Sequence, residues 1–135
     1  MNYWLVKSDP ETYSWEMLLH DKYTEWDGVR NYQARNNLKL MKKGDMVLFY
    51  HSQLEKAIMG VAKISNEYFH DPTANEGDWV AVEIKPLKTF KQQVSLEDIK
   101  KNNLLKAIGL LKQPRLSVMP ITKAEFDEIL RLSKS

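Results

Sequence analysis

No cysteine occurs among the 135 residues, which excludes disulfide staples and thiolate-bound zinc. No apolar run approaches the roughly 20 residues that a bilayer-spanning helix needs. The opening stretch, MNYWLVKSDP, lacks the basic flank and long apolar segment of a signal peptide, because Lys7 and Ser8 interrupt the hydrophobic residues at once. A cytosolic or nuclear address fits these absences, with the cytoplasm as the expectation and no membrane partner. Glycine and proline number five each, and no linker, low-complexity tract or internal repeat divides the chain. The G-x-x-x-x-G-K-[ST], G-x-G-x-x-G and H-E-x-x-H patterns are also missing, so nucleotide hydrolysis, dinucleotide binding and zinc proteolysis lose their usual sequence support. His20, His51 and His70 are too scattered to suggest a metal site.

The composition, 43% hydrophobic and 28% charged, is that of a soluble globular protein. Its length predicts one domain over residues 1–135. No feature indicates an oligomer, so a monomer is the default. A net charge of +2 is too small to indicate nucleic-acid binding alone. Its distribution is more informative. Between Asp27 and Asp45 every charged residue is basic, namely Arg30, Arg35, Lys39, Lys42 and Lys43, and a second basic run follows at Lys85, Lys88 and Lys91. Such a run forms either a solvated face or a phosphate-facing one.

Periodicity outlines the elements. NYWLVK reads as a buried strand ended by the Ser8-Asp9-Pro10 turn signal. SWEMLLHD predicts a short helix with Ser14 as N-cap and Met17 and Leu18 turned inward. From Asn31, the residues Ala34, Leu38 and Met41 mark one helical face, with Gly44 as a stop. DMVLFYHS, AIMGVAKISNEYF and WVAVEIKPLKTF are strand-like, and Pro86 predicts an edge or a bulge. VSLEDIKKN and NNLLKAIGLLK predict two short helices, RLSVMPI a strand, and ITKAEFDEILRL a final helix with Thr122 and Glu125 at capping-box spacing. The sum is an α+β domain: a strongly bent, mostly antiparallel sheet closed toward a small β-barrel, with short helices flanking it.

No catalytic constellation stands out. Ser8, Ser52 or Ser117 would need His51 as a base, yet Ser52 and His51 are adjacent strand residues that point to opposite faces, and no nucleophile elbow is present. Asp9 and Glu11, on either side of Pro10, suit a turn and helix start better than an acid-base pair. No catalytic residue, metal or cofactor is therefore expected.

Aromatic residues carry more information. Trp4 and Trp79 lie in strand patterns and read as sheet-packing groups, and Trp15 is either a helix-side packing group or a pocket lip. Trp26 precedes the Asp27-Gly28 turn in WDGVRNYQARNNL, which puts a flat surface at the edge of an element. A base taken out of its stack requires such a surface together with groups that read its polar edge. Asn31 can donate and accept, while Lys7, Arg30 and Arg35 can hold carbonyl or phosphate oxygens. The alternative is that Asn31 caps the following helix and Trp26 merely staples it.

YWLVKSDP, YSW, WDGVRNYQARNNL, GDMVLFYHS and RLSVMPI, in this order, resemble the EVE domain family over about Asn2 to Leu132. One departure is Asp9, where the family usually has Glu before the proline. The resemblance implies a PUA-like β-barrel similar to that of YTH domains, and a non-catalytic reader of a modified base in DNA or RNA. It also implies a base-binding pocket. Lys7 and Ser8 would lie beside it at the end of the first strand, and Trp26 would form an aromatic wall. Asn31, Tyr32 and Arg35 follow in the same family pattern, and Trp15, Tyr50, Ser52, Arg115 and Ser117 are candidates for the rim. The implied partner is a nucleic acid carrying a modified base; the alternatives are an enzyme acting on modified nucleic acid, or a pocket that binds a small metabolite or peptide.

Overall fold

The computed structural model describes residues 1–134. Six strands and five α-helices follow one another as β1 (Tyr3–Ser8), α1 (Trp15–Asp21), β2 (Thr24–Trp26), α2 (Tyr32–Leu40), β3 (Met46–His51), β4 (Ala57–His70), β5 (Val80–Ser95), α3 (Leu96–Lys101), α4 (Gly109–Lys112), β6 (Val118–Ile121) and α5 (Lys123–Leu132). A 3-10 turn, Asn103–Leu105, separates α3 from α4. The second short helix expected over NNLLKAIGLLK is thus two pieces.

The strands form one sheet in the order β2-β5-β4-β3-β1-β6. β1 and β3 are parallel, and every other pairing is antiparallel. A parallel pair cannot be joined by a hairpin and needs a long crossover. Here the crossover contains α1, β2 and α2, and it carries β2 away to pair with β5 at the opposite edge of the sheet.

Long β4 and β5 bend through several register irregularities, as bulged antiparallel strands do. Pro86 faces Ala62 beside one of these, between Val61 and Ala62. The proline therefore sits at a bulge, where the ladder is already broken, beyond the residues of β5 that pair with β2. Gly60 lies next to another. A Cβ there would come within 2.5 Å of the Trp15 ring and 2.6 Å of the Lys88 carbonyl oxygen, so the indole and the neighbouring strand both occupy its space.

The expected barrel does not form. β2 and β6 are the sheet's two edges, of three and four residues, and no ladder joins them. Instead α2 packs against β4, β5 and β6, and the Asn37 side-chain amide donates to the Val118 carbonyl at 2.8 Å. A helix thus occupies part of the span that a closing strand pair would require, and the edges remain free of each other.

The core follows the hydrophobic pattern closely. Ala34, Leu38 and Met41 of the α2 stripe are fully buried, as are Ala62, Val82 and Ile84. Asn31 accepts from the Ala34 amide at 2.9 Å and caps α2, while Ser14 caps α1 through the Met17 amide. Thr122 and Glu125 form the expected capping box. Three local expectations differ. Met17 faces outward and only Leu18 is buried; a helix of seven residues offers a narrow buried stripe, and Leu18 with Trp15 fills it. α2 ends at Leu40, before Gly44, which takes φ +93° in the following turn. Trp79 precedes β5 and is half-buried outside the sheet.

Candidate functional site

The gap between the two sheet edges is a cavity of about 510 Å³, within the usual size range for ligand pockets. The end of β1 contributes Lys7 and Ser8, followed by Asp9, Thr12 and Tyr13 from the turn before α1. β2 contributes Thr24, Glu25 and Trp26 from the other side, and the chain after it adds Asp27, Gly28, Val29 and Arg30. Ser117, just before β6, completes the lining. The cavity therefore exists because the sheet stays open.

Trp26 is fixed by two near-perpendicular ring contacts, with Tyr13 at 6.4 Å and with buried Phe49 at 5.5 Å between centroids. The turn after it is anchored from far away in sequence. Asp71, fully buried, accepts from the Gly28 amide at 2.8 Å and from the Arg30 guanidinium at 2.9 Å. Its other oxygen accepts from the amide and hydroxyl of Thr73 at 2.7 and 2.6 Å. Burial alone would push the Asp71 carboxyl up, but the Thr73 hydroxyl, the Arg30 guanidinium and the two amides outweigh it and hold it well below the usual carboxylate range. Gly28, at φ +77°, supplies the left-handed turn that brings its N–H to Asp71.

The polar lining is mixed in sign: three carboxylates, Asp9, Glu25 and Asp27, face two cations, Lys7 and Arg30. Burial lowers the Lys7 ammonium pKa, and its Nζ donates to the Pro114 carbonyl at 2.7 Å. Burial also pushes the Asp27 carboxyl up, aided by the charge of Asp71. The Tyr13 hydroxyl is raised by burial and donates to Asp21 at 2.8 Å. Ser8 Oγ donates to the Tyr13 carbonyl, and the Ser8 carbonyl accepts from the Ser52 amide at 2.9 Å. A cavity with this balance suits a neutral, flat, multiply hydrogen-bonding group better than a phosphate.

Of the residues singled out from the sequence for base or phosphate contact, Lys7, Ser8, Trp26, Arg30 and Ser117 meet in this cavity. The others lie elsewhere. Asn31 and Arg115 line a separate shallow groove of about 310 Å³. Tyr32 and Arg35 stand on the outer face, with Tyr32 stacked on Trp79. Trp15 is buried against Phe49 and donates to Thr89 Oγ1 at 2.9 Å, and Tyr50 is also buried. Ser52 touches the site only through its amide. His51 is committed to structure: Nε2 accepts from the Trp15 amide at 3.0 Å and Nδ1 faces Glu55 at 3.3 Å. Sequence reasoning did not single out Asp27, Tyr13 or Asp71 as site residues. The first two lie inside quoted motifs, WDG and YSW, whereas Asp71 reaches the site from more than forty residues away. Among the described residues no cluster of three or more His, Cys, Asp or Glu could hold a metal. No helix among them is long and apolar enough to cross a membrane.

The EVE domain family model matches residues 2–132. The chain belongs to the EVE domain family. Thymocyte nuclear protein 1 of Mus musculus is 37% identical over 99% of this chain and 74% of its own length. Human THYN1 protein, solved in complex with 5-methylcytosine containing DNA, superposes with a TM-score of 0.91 at 33% identity, covering 100% of this EVE chain and 99% of that one. The YTH domain of Zygosaccharomyces rouxii MRB1 protein, solved in complex with N6-methyladenosine RNA, has a TM-score of 0.65 at 17% identity, over 99% of this chain and 87% of that one. That likeness concerns the fold: this EVE domain has a YTH-like six-stranded sheet with flanking helices.

Proposed function

We propose that this EVE domain, acting as a single domain, is a non-catalytic module that binds one modified base of DNA or RNA in the cavity between its sheet edges. The observation that carries this reading is Trp26, a flat ring fixed by Tyr13 and Phe49 in a cavity of mixed donors and acceptors. Stacking of a base on an aromatic ring contributes about 1–3 kcal/mol. Asp27 is suited to accept from an exocyclic amine, as carboxylates do from cytosine N4, while Lys7 and Ser117 supply donors for ring carbonyl oxygens. The human relative's complex with 5-methylcytosine containing DNA supports a methylated cytosine as the first base to test. A methyl group contributes about 0.8 kcal/mol through burial alone, so area accounts for only a several-fold preference. A sharper one requires the pocket wall to leave a wrong base with unpaired polar groups. A cytoplasmic setting is part of the same proposal, although the vertebrate relatives bear the name of a nuclear protein.

Fluorescence titration with matched oligonucleotides, with and without 5-methylcytosine or N6-methyladenosine, tests the reading. One modified oligonucleotide should bind at least several-fold more tightly than its match, and Trp26→Ala should abolish the difference. Equal affinities across the panel, unchanged by Trp26→Ala in a folded protein, would overturn it. Mass spectrometry should recover the bound oligonucleotide unaltered; sustained product formation would refute the non-catalytic part.

A further inference from the structure

Beside the cavity lies a second aromatic assembly that base binding in the pocket does not use. The rings of Tyr32 and Trp79 stack with centroids 5.2 Å apart and planes inclined by 21°. The Arg35 guanidinium sits 5.0 Å from the Tyr32 centroid and 5.7 Å from that of Trp79. Arg30 approaches Trp79 at 5.5 Å and also lines the cavity, so one side chain joins the two places.

The assembly is rigid at its base and open at its top. The Trp79 carbonyl accepts from the Asp71 amide at 2.9 Å. Gly77, at φ +91°, packs so closely that an added Cβ would fall 2.9 Å from the indole nitrogen. Tyr32 nevertheless remains 67% exposed. Helix α2 is held by its Asn31 cap and by buried Ala34 and Leu38, so Tyr32 adds nothing to the core. Arg35 donates to neutral acceptors, the Asn36 side-chain oxygen at 3.0 and 3.2 Å and the Asp78 carbonyl at 3.4 Å. Neighbouring Asp78 is instead paired with Lys39, and Arg35 forms no ion pair of its own among the described residues. An exposed ring beside a pre-positioned guanidinium, which shares the field of the Asp78 carboxylate with Lys39, is the pairing that single-stranded nucleic acid uses: a π-face for a base and a cation for its phosphate.

We infer that Tyr32 and Arg35 on their Trp79 support receive the nucleotide next to the one held in the cavity, its base on the Tyr32 ring and its phosphate on Arg35. The choice of ligand rests on the base-binding reading, which this contact deepens. Stacking on Tyr32 is tolerant of sequence, so the contact supplies affinity for the strand and leaves the choice of modified base to the cavity.

The test uses the full chain with three probes: a single-stranded DNA decamer containing one central 5-methylcytosine, its unmodified match, and the free nucleoside 5-methyl-2′-deoxycytidine. Tyr32→Ala should weaken both decamers about tenfold, with the ratio between them and the nucleoside affinity unchanged. Tyr32→Phe, which keeps the ring, should bind as the wild type. Arg35→Gln should lower the slope of log affinity against log salt by about one. Modification-selective binding that is insensitive to Tyr32→Ala and Arg35→Gln, in variants that melt like the wild type, would overturn this inference alone. Equal binding of both decamers that is lost with Tyr32→Ala would overturn the cavity reading and leave the strand contact standing. A wild type that binds neither decamer overturns both.

Discussion

Asp71 shows how much of the site depends on one buried carboxylate. It collects the Gly28 amide, the Arg30 guanidinium and both donors of Thr73, so the turn carrying Trp26 is fastened to the loop before β5. Charge-assisted hydrogen bonds of this kind contribute about 1.5–3 kcal/mol. Asp71→Asn should therefore cost about 2 kcal/mol at pH 7, read by urea denaturation. The sign of its pH dependence follows from its depressed folded pKa. The contribution is fully present above the ordinary value of 3.8 and is lost as pH falls through the folded one. The stability gap between wild type and variant should accordingly narrow below about pH 4. Asp27 behaves oppositely, because burial and the charge of Asp71 raise its carboxyl. A protonated carboxyl no longer accepts twice from a base amine, so affinity for a methylated cytosine should fall as pH drops through that raised value. In Asp27→Asn, binding at pH 7 should be about tenfold weaker and this pH dependence should disappear. Titrations across pH 4–7.5, fluorescence against pH at constant salt, check both.

Elements differ in how plainly they were written into the chain. Helix α2 was legible because cap and stripe are local: Asn31 sits three residues before the Ala34 amide it caps, and Ala34, Leu38 and Met41 repeat at helical spacing. The same residue types leave two roles open for Asn31, and the structure has its side-chain oxygen engaged with that amide. Asn31→Ala should thus lower stability by about 1 kcal/mol without altering preference between modified and unmodified oligonucleotides. Strand β2 was not legible, since three residues, TEW, carry no periodicity and are held by pairing with β5 and by the ring contacts of Trp26 with Tyr13 and Phe49. Of the glycines, Gly60 in β4 leaves the least room for a side chain. The indole of Trp15 and a backbone carbonyl of β5 occupy its missing side-chain space, and a strand carbonyl cannot swing aside as a flexible side chain can. Gly60→Ala should destabilise by about 3 kcal/mol or more, read as a lowered melting temperature.

At the scale of the whole molecule, the small net charge of +2 means that long-range attraction to nucleic acid is weak and that binding rests on a few placed cations. With about three phosphate contacts, the slope of log affinity against log salt on single strands should be about −2. A slope several-fold steeper would point to a broad basic face such as the Lys85, Lys88 and Lys91 run. By itself the sequence determined the α+β class, the caps of α1 and α5, the buried stripe of α2 and the family, because each rests on residues close together in the chain or on motifs in a set order. Tertiary structure alone decided that the bent sheet stays open, that β2 returns past the end of β1 to make a cavity there, and that Tyr32 and Arg35 stand outside it on Trp79. Those outcomes depend on contacts such as Gly28 and Arg30 to Asp71 and Asn37 to Val118, which join residues forty to eighty positions apart and leave no trace in local spacing.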